Sequence, residues 1–490
     1  MPIFSLIPYC SIRRILSICF DSLLMGLRLL QYADIETAYD TPEQIGRLAG
    51  LINQLRNEAT IVCGSGDNIG PGVLSLVTHG RQALDYFRAV EADVDTFGNH
   101  DFDHGLDTLL DIVDEAPQTW VCANAFNNGK RLAADEGAVP WTIIEVGSHQ
   151  VGVIGVTHPE TAEINPNASD VRFTDPVSAV EQGINTVQDR HVDHIVVLSH
   201  LGDDTELAKA VNVDVILGGH DHVKLINRVD DTLVCRPGGT GRYLLEVTFD
   251  DRPTATHHNV SDGPLDPNVT TVLRNRIDAA GLGETVGTIE EPITCDLVAC
   301  KRAESRIGNL ITDAYRWKIS ADVGVNSGGG FRRHPPLTGK VTAFDLVKIT
   351  PYESDLVLLR VDGDAMMATL RHLALADAPD DLPRWHFGHV SGAELVWDDA
   401  SEELLSATIN GEPVKSNRMY ELATTEFFVE NEDLFPAFGP DDVIDCSEPQ
   451  YEAVIEYARE KGVDPQIEGR ISRPMLTENK IPERDWPHSP

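Results

Sequence analysis

Short apolar runs alternate with amphipathic stretches through the first half of the chain. Residues 27–33 and 60–63 are apolar enough for buried strands, and residues 42–57 between them place Ile45 and Leu48 at helical spacing. Repetition of this alternation predicts a layered α/β domain. The predicted strands of this half are 27–33, 60–63, 94–97, 120–124, 141–146, 150–156, 195–198 and 213–217, and the predicted helices are 42–57 and 82–90.

The second half shows a different pattern. Residues 250–268 are rich in Pro, Thr, Asp and Asn, which indicates a linker, and a helix is expected at 269–280. A helical period at 304–317 and three later apolar runs, at 356–361, 393–397 and 420–424, then predict an α+β unit. The expected organisation is an N-terminal extension at 1–26, a first domain at 27–252, a linker with a connecting helix at 253–285, a second domain at 286–473 and a tail at 474–490.

Residues 1–24 are apolar except around Arg13 and Arg14. A secretory signal is one interpretation, but the arginines interrupt the apolar region and no small-residue cleavage site follows. Each apolar piece is also too short to cross a bilayer. We therefore expect an unstructured or artefactual extension, with Met25 as a plausible start.

Composition narrows the class of protein. The 490 residues are enough for two large domains or three small ones. Asp and Glu number 78 against 39 Lys and Arg, and the net charge of −39 disfavours nucleic acid or an anionic membrane as a partner. Because the acids are spread along regular apolar runs, the charge indicates a salt-adapted surface rather than disorder. The eight cysteines form no CxxC pair, which favours buried free thiols and a cytoplasmic location.

Polar side chains of ligand type follow the predicted strands. The richest group is 98–103, GNHDFD; Asp67 stands among glycines in 64–72, and 199–202 and 218–222 read SHLG and GGHDH. The carboxyl ends of neighbouring strands share one edge of a sheet, so we expect these groups to converge there. The candidate metal ligands are Asp34, Glu36, Asp67, Asn99, His200, His220 and His222.

The donor types of this set predict its chemistry. The seven side chains offer oxygen and nitrogen but no thiolate, and they suffice for two hydrolytic metal ions that share one carboxylate. Two such cations would hold a hydroxide and neutralise a phosphate in line with it, which predicts metal-assisted phosphoester hydrolysis. His220 and His222 are expected on an extended segment, with both rings on the same side. His100 would act as general acid or as stabiliser of transition-state charge, oriented by Asp103.

A second group of interest is the segment 326–333, NSGGGFRR. Its glycines would expose backbone N–H groups beside two guanidinium groups, and this combination suits a phosphate. The alternative is an ordinary turn.

Taken in the order in which they occur along the chain, the polar motifs of the first half resemble those of the calcineurin-like metallophosphoesterases. With the second domain, the chain resembles the 5'-nucleotidase / UDP-sugar hydrolase / 2',3'-cyclic phosphodiesterase family over about residues 27–470. The resemblance implies a four-layer α/β/β/α sandwich that holds two metals, followed by an α+β domain that binds the nucleotide and swings to present it. The motifs that carry the resemblance are Asp34-x-Glu36, Gly66-Asp67, 98–103, Ser199-His200 and 218–222.

The resemblance also implies roles for individual residues. His100 and Asp103 would be the catalytic pair. One metal would be held by Asp34, Glu36, Asp67 and His222, and the other by Asp67, Asn99, His200 and His220. In the second domain, Arg332 would bind phosphate with help from Lys301 or Arg302, Tyr352 and Phe427 would stack on the base, and Asp433 would meet the ribose. The full implied substrate-binding set is Lys301, Arg302, Ser327, Gly328, Gly329, Arg332, Tyr352, Phe427 and Asp433.

Two positions depart from the family pattern. Glu36 stands where the family usually has His, which makes the first site more anionic and favours Mn²⁺ over Zn²⁺. Residues 431–434, NEDL, replace the Gly-Gly-Asp-Gly of the family, so the loop that meets the base and ribose has a different shape. The changed loop at 431–434 is expected to affect which nucleotide the protein prefers.

The leading expectation is a cytoplasmic enzyme that uses two divalent ions, Mn²⁺ or else Zn²⁺, to release phosphate from nucleoside 5'-monophosphates. A 2',3'-cyclic-nucleotide phosphodiesterase or a UDP-sugar pyrophosphohydrolase is the alternative on the same site. A catalytically silent nucleotide-binding protein is the alternative from another class. The expected partner is a small nucleotide, with neither nucleic acid nor membrane.

Overall fold

The computed structural model describes residues 26–295, 300–301, 303–332, 334–374, 387–398, 401, 403–431 and 435–473. The expectations for residues 1–24 and for the tail at 474–490 fall outside these residues. The chain divides between Ile277 and Asp278 into two compact units.

Unit 1 alternates strands with helices, as predicted. Its strands are Arg28–Tyr32 (β1), Thr60–Gly64 (β2), Val94–Asp95 (β3), Thr119–Trp120 (β4), Ala125–Asn127 (β5), Lys130–Arg131 (β6), Trp141–Val146 (β7), His149–Thr157 (β8), Val171–Phe173 (β9), His194–His200 (β10), Val215–Gly218 (β11), Lys224–Val229 (β12), Thr232–Pro237 (β13), Tyr243–Phe249 (β14) and Pro253–Asn259 (β15). Its helices are Pro42–Leu55 (α1), Val73–Thr78 (α2), Gln82–Ala89 (α3), Leu106–Glu115 (α4), Thr161–Ile164 (α5), Pro176–Gln188 (α6), Thr205–Ala210 (α7) and Pro267–Ala279 (α8).

Two six-stranded sheets form the centre of unit 1. The order of the first is β15-β14-β1-β2-β3-β4, and β1 to β4 are parallel to one another. The order of the second is β12-β13-β11-β10-β8-β7, with β8, β10, β11 and β13 parallel. Strands covered on both faces need near-continuous apolar runs, and the apolar runs predicted every one of these parallel strands except β13.

Apolar packing shows the order of the layers. One cluster joins Leu29 and Ile61 of the first sheet to Val153 and Val196 of the second, so the sheets face each other. A second cluster packs α1, α3 and α4 on the outer face of the first sheet. A third packs α6 and α7 on the outer face of the second. Unit 1 is therefore a four-layer α/β/β/α sandwich, which confirms the expected fold.

Residues 253–259, expected to begin a linker, instead form the edge strand β15. It pairs antiparallel with β14 from Tyr243–Asn259 to Phe249–Pro253. An edge strand is bonded on one side only, so it tolerates proline and polar side chains that a central strand would exclude. Because an edge strand tolerates these residues, the composition of the segment predicted a linker where the structure has a strand.

Unit 2 has an α+β arrangement around its own core. A five-stranded sheet has the order β20-β17-β24-β19-β25, beside a four-stranded sheet β23-β22-β21-β26 and the pair β16-β18. The strands are Thr285–Cys295 (β16), Val323–Ser327 (β17), His334–Thr342 (β18), Asp355–Asp362 (β19), Gly388–Ser391 (β20), Ala393–Asp398 (β21), Glu403–Ile409 (β22), Glu412–Pro413 (β23), Met419–Thr425 (β24), Val443–Pro449 (β25) and Ile471–Ser472 (β26). The helices are Arg306–Lys318 (α9), Ala343–Ile349 (α10), Gly363–Ala374 (α11), Glu426–Glu430 (α12) and Gln450–Lys461 (α13).

Two further features bear on the sequence predictions. Among the described residues, Cys63, Cys122, Cys235 and Cys295 are buried free thiols, as predicted, and Cys446 is a free thiol on the surface. Within the same part of the chain, no helix combines the length and apolar character needed to cross a membrane.

Candidate functional site

Three candidate ligands follow parallel strands of the first sheet. Asp34 comes two residues after β1, Asp67 three residues after β2, and Asn99 four residues after β3. Since β1, β2 and β3 are parallel neighbours, their carboxyl ends meet at one edge. All three side chains are buried there, at 1%, 1% and 3% exposure.

The second sheet contributes imidazoles to the same region of unit 1. His200 is the last residue of β10 and is fully buried, and His220 and His222 follow β11 directly. Two hydrogen bonds join the sets: His200 Nδ1 donates to Ser65 O at 2.7 Å, and His220 N donates to Asp34 Oδ1 at 2.9 Å. The expected convergence at strand ends is what the structure shows.

The backbone is left-handed at five of the seven candidate ligands, namely Asp34 (φ 50°), Glu36 (φ 47°), Asp67 (φ 53°), His220 (φ 79°) and His222 (φ 55°). Such conformations cost about 1–3 kcal/mol each and cluster at functional sites. They also correct one expectation: His220 and His222 do not lie on an extended segment with both rings on one side. The left-handed turn sends the two rings to different clusters.

The first cluster brings ligand atoms of Asp67, His200 and His220 within 4.8 Å of one another. His200 Nε2 lies 3.0 Å from Asp67 Oδ2, and His220 Nδ1 lies 2.9 Å from Asn99 Oδ1. Because His200 Nδ1 donates to Ser65 O, a neutral ring would present its Nε2 lone pair to the cluster. Metal-binding histidines in proteins are oriented in this way.

The second cluster contains Asp34, Glu36 and His222, again within 4.8 Å. His222 Nε2 lies 2.8 Å from Glu36 Oε1 and 3.9 Å from Asp34 Oδ1. Glu36 is 6% exposed, so its carboxylate is placed inside the site and not in solvent. A third grouping, of Glu36, Asp67 and His100, shares Asp67 with the first cluster and Glu36 with the second.

The pKa values show how strongly these charges interact. Burial raises the pKa of Asp34 to about 7, and burial likewise raises that of Glu36. Burial opposes the charged form of His200, but the Asp67 carboxylate outweighs burial and raises the pKa of His200 to about 10. Burial and the charge of His200 lower the pKa of His220 to about 4. Perturbed carboxylates and imidazoles in one place are typical of functional sites.

Two glycines allow this close approach. A Cβ on Gly98 would lie 2.1 Å from Asp67 Oδ1, and one on Gly66 would lie 2.5 Å from His200 Nδ1. Gly66 also has φ +83°, which favours glycine for a second reason. Both are the glycines that precede a candidate ligand in the sequence motifs.

His100 and Asp103 form the predicted pair. His100 Nδ1 lies 3.0 Å from Asp103 Oδ2 and 3.2 Å from Oδ1. The backbone N–H of His100 donates to Asp67 Oδ1 at 2.7 Å, which ties the pair to the first cluster. Despite partial burial, the hydrogen bond to Asp103 and the charge of Asp67 raise the pKa of His100 to about 9.

Sequence reasoning missed several residues that hold the site together. The buried Asp101 carboxylate accepts four backbone hydrogen bonds, from Asp67 N (3.1 Å), Asn68 N (3.0 Å), Ile69 N (2.9 Å) and Gly98 N (2.7 Å). It therefore fastens the loop after β2 to the loop after β3. The position of Asp101 between two candidate site residues was the available signal.

The candidate site residues drawn from the sequence did not include His158. It follows β8 directly, and its ring stacks on that of His220 with centroids 5.4 Å apart and planes at 20°. Its Nδ1 accepts from the backbone N–H of Glu160 at 3.2 Å. Only the position of His158 at the end of an apolar run could have indicated this contact.

Unit 2 contains a cavity of about 440 Å³ around the glycine-rich loop. It lies beside the ends of β17 and β24, and Gly328–Gly330 form a single 3-10 turn at its edge. A Cβ on Gly330 would lie 2.5 Å from Asn326 Oδ1, so the turn requires glycine. The predicted residues that line the cavity are Lys301, Ser327, Gly329, Arg332, Tyr352 and Phe427.

The lining combines positive charge with aromatic surface. The Arg332 guanidinium lies 4.8 Å from the centre of the Tyr352 ring, and the Tyr352 hydroxyl donates to Gly329 O at 3.3 Å. Burial and the neighbouring Arg332 lower the pKa of Lys301. Phe427 is 43% exposed and lies in the lining, so a ligand in the cavity can reach its ring.

One predicted residue of unit 2 lies outside this lining, and two others fall outside the described residues. Gly328 is buried behind the loop, where a Cβ would lie 2.9 Å from Cys300 O, and it is not part of the lining. Arg302 and Asp433 lie outside the described residues. A larger cleft of about 840 Å³ in the same unit contains none of the predicted residues, and its Arg470 is already paired with Asp313.

The donor set of unit 1 fits divalent cations. Carboxylate and amide oxygens with imidazole nitrogens suit Mn²⁺, Zn²⁺ and related ions, and none of the clustered donors is a thiolate. The buried and crowded carboxylates are also the environment that a cation would stabilise. The site can therefore bind metal and, through it, an anionic substrate.

Comparison with known proteins agrees with this geometry. Residues 27–224 match the family described as calcineurin-like phosphoesterase, and residues 285–440 match the 5'-nucleotidase, C-terminal domain. The 5'-nucleotidase of Bos taurus is 23% identical over 498 residues, which cover 87% of this chain and 85% of that protein. The trifunctional nucleotide phosphoesterase YfkN of Bacillus subtilis is 25% identical over 496 residues, 87% of this chain but only 33% of YfkN.

A solved structure shares the fold. The 5'-nucleotidase precursor of Thermus thermophilus superposes with a TM-score of 0.62 at 22% identity, over 92% of this chain and 99% of that one. The two matched families follow each other along the chain in the order that the motifs predicted, so the resemblance is confirmed. The chain belongs to the metallophosphoesterases that carry a 5'-nucleotidase C-terminal domain, a family of phosphoester hydrolases.

Proposed function

We propose that the chain hydrolyses nucleoside 5'-monophosphates with two divalent metal ions. The observation that carries this proposal is the meeting of six candidate ligands in two clusters of unit 1, with ligand atoms of each cluster within 4.8 Å, and the contact of the seventh, Asn99, with His220 at 2.9 Å. Structural ion pairs alone would not require five left-handed backbones at these positions.

One ion would be held by Asp34, Glu36, Asp67 and His222, and the other by Asp67, Asn99, His200 and His220. The bound cations would activate water at neutral pH and neutralise the charge of the phosphate. Asp67 suits the shared position because it contacts His200 and lies near Glu36 as well.

We propose Mn²⁺ as the preferred ion, with Zn²⁺ as the alternative. The proposal depends on Glu36, whose Oε1 lies 2.8 Å from His222 Nε2. A carboxylate at this place gives the second cluster two carboxylate ligands, Asp34 and Glu36, beside one imidazole, that of His222. Such a set is harder than one with two imidazoles and favours oxygen-loving cations.

His100 and Asp103 would act on the phosphate side of the reaction. Partial exposure of His100, at 41% of its side chain, leaves its other ring nitrogen accessible. A protonated His100 can donate to the leaving oxygen or stabilise charge on the phosphoryl group, and the raised pKa keeps that proton at neutral pH.

The cavity of unit 2 supports a nucleotide as the substrate. Its volume of about 440 Å³ lies within the usual range of small-molecule sites, about 300–1,000 Å³. Lys301 and Arg332 would attract phosphate, and Tyr352 and Phe427 offer aromatic faces on which a base can stack. The buried free thiols support a further proposal, that the protein works in a reducing, cytoplasmic setting.

A substrate panel tests the proposal directly. Phosphate release would be measured from AMP, UMP, 2',3'-cyclic AMP and UDP-glucose in high salt, after chelation and after return of Mn²⁺ or Zn²⁺. We expect metal-restored release from AMP or UMP. His100→Ala should abolish turnover without lowering metal content, whereas His149→Ala, at the opposite end of β8, should retain both.

Other outcomes would change the assignment. Turnover of only the cyclic nucleotide or the UDP-sugar would replace the substrate class while keeping the metal centre. Turnover that chelation does not affect would refute the metal mechanism. Nucleotide binding without any turnover would identify a silent binding protein.

A further inference from the structure

A buried asparagine in unit 1 contacts both the catalytic pair and a candidate metal-ligand loop. Asn165 lies between helix α5 and the single 3-10 turn Pro166–Ala168, and it is 7% exposed. Its Oδ1 accepts from the backbone N–H of Asn167 at 3.0 Å, so the carbonyl end of the amide is fixed as the cap of that turn.

The amide nitrogen of Asn165 therefore faces the opposite way. Its Nδ2 lies 2.8 Å from Asn99 O and 2.8 Å from Asp103 Oδ1. An amide nitrogen carries two hydrogens, and both are used by these two acceptors. The hydrogen bond from Asn167 thus orients the Asn165 amide, and the amide nitrogen in turn holds the Asn99 carbonyl and the Asp103 carboxylate.

The pair of His100 and Asp103 needs such support. The side chains are 41% and 24% exposed, and ion pairs this accessible to water contribute little to stability. Left alone, the carboxylate could rotate about its own bonds and release the imidazole. The bond from Asn165 to Oδ1 holds the carboxylate with its other oxygen, Oδ2, 3.0 Å from His100 Nδ1.

We infer that Asn165 is a positioning residue for the reaction: it fixes the Asp103 carboxylate and, through it, the His100 ring that faces the phosphate. The inference rests on the proposed role of His100 and Asp103. It adds a third member to that pair from a segment that the sequence motifs did not include. Residues that orient a functional histidine in this way typically change activity about 10–100-fold when they are replaced.

Two substitutions separate the positioning role from the cap. Asn165→Ser keeps an oxygen that can cap the 3-10 turn but is too short to reach Asp103, and it adds no charge. Asn165→Asp also keeps the cap and places an acceptor where the donor was. Asn167→Ala is the matched control, because Asn167 lies in the same turn and bonds the backbone O of Asp103 at 2.8 Å, not its carboxylate.

Hydrolysis of AMP and of p-nitrophenyl phosphate by the Mn²⁺-loaded full chain would be measured for each variant. We expect kcat to fall about 10–100-fold in both Asn165 variants, with KM changed less than about threefold, and little change in the control. In an Asp103→Ala background, Asn165→Ser should cause no further loss, because its partner is already absent.

Three results would overturn the inference. The first is an unchanged kcat in both Asn165 variants. The second is a loss of the same size in the Asp103→Ala background, which would indicate a general structural effect. The third is a fall in manganese content with kcat per bound metal unchanged. This result would mean that Asn165 supports only the metal-binding loop at Asn99 and does not orient Asp103. Full activity of His100→Ala and Asp103→Ala would instead refute the proposed function of the pair.

Discussion

Asp101→Asn tests whether the loops of the candidate site are held by one carboxylate. In the structure, Asp101 Oδ2 accepts from Asp67 N and Gly98 N, and Oδ1 accepts from Asn68 N and Ile69 N. Asparagine has the same shape but replaces one oxygen with an NH₂ group. Whichever oxygen is replaced, two buried backbone N–H groups lose their acceptor and face a donor.

The number of hydrogen bonds lost gives the expected loss of stability in the two loops. Each buried N–H group left without a partner costs about 1–3 kcal/mol, so the substitution should destabilise the two loops by about 2–6 kcal/mol. Burial and the charge of Asp67 raise the pKa of Asp101 to about 7. Four N–H donors nevertheless leave no acceptor for a carboxyl proton, so the loop is built around the charged form.

Hydrogen exchange followed by mass spectrometry would measure the effect at the loops themselves. In chelated protein, peptides that contain residues 66–69 and 98 should exchange at least about 30-fold faster in the variant, as 1.4 kcal/mol corresponds to a factor of ten. Peptides from unit 2 provide an internal reference. Restored metal should be bound more weakly, because the loops carry Asp67 and Asn99.

Asp95→Asn is the matched control. Asp95 is equally buried, but its two backbone donors, Gly66 N at 3.3 Å and Thr96 N at 2.8 Å, both bond Oδ1. Its Oδ2 accepts from the Asn68 side chain at 3.1 Å, and no backbone N–H of the described residues bonds it, so an amide nitrogen there takes no acceptor from the backbone. Equal exchange in wild type and Asp101→Asn, or equal acceleration in both variants, would show that the Asp101 carboxylate does not hold these loops.

Three further predictions concern substrate, metal and pH. Phe427→Ala should raise KM for AMP about fivefold or more, because base stacking contributes about 1–3 kcal/mol, and should barely change KM for p-nitrophenyl phosphate. Equal effects on the two substrates would argue against stacking. Substitution of another exposed apolar residue, Met419→Ala, is the control. Glu36→His should raise the ratio of Zn²⁺-supported to Mn²⁺-supported turnover, since imidazole is the softer ligand, and an unchanged ratio would remove Glu36 from the metal site. Metal binding at pH 7.5 should release about one proton, measured by calorimetry in buffers of different ionisation enthalpy, because His200 must lose the proton that its pKa of about 10 retains; zero release would exclude His200 as a ligand.

The same pKa gives the pH dependence of the metal-free protein. The pKa of His200 is raised from 6.5 to about 10 on folding, so the stability that it contributes is complete below pH 6.5 and is lost as the pH rises through about 10. Metal affinity should change in the opposite direction and increase over this window. A melting temperature of the chelated protein that increases from pH 7 to 10 would contradict the assignment.

Local pattern was enough to predict the layers and the place of the site. Parallel strands that are buried on both faces must be apolar throughout, so β2, β10 and β11 were visible in the sequence, and the polar residues at their carboxyl ends could be placed at one edge. The edge strand β15 lacks this signature, because one of its faces and one of its sides are free of the core.

Contacts between distant residues were beyond such reasoning. Asn165 is 62 residues from Asp103, and His158 stacks on a ring that follows another strand. The left-handed turns at His220 and His222 were missed because alternation along an extended segment was assumed, and only the surrounding loops impose the turn. Site residues whose function depends on a partner outside their own motif leave no local pattern.

The origin of the candidate ligands in two different sheets has a consequence for biosynthesis. Asp34, Asp67 and Asn99 follow β1, β2 and β3 of the first sheet, and the imidazoles that would complete the centre come from β10 and from the residues after β11 in the second, which are translated later than β1 to β3. A nascent chain would therefore carry unneutralised carboxylates until β10 and β11 had emerged and packed. Metal capture would be among the last events in the maturation of unit 1, and a chain that stops before His200 would hold the acids of the centre without their histidines.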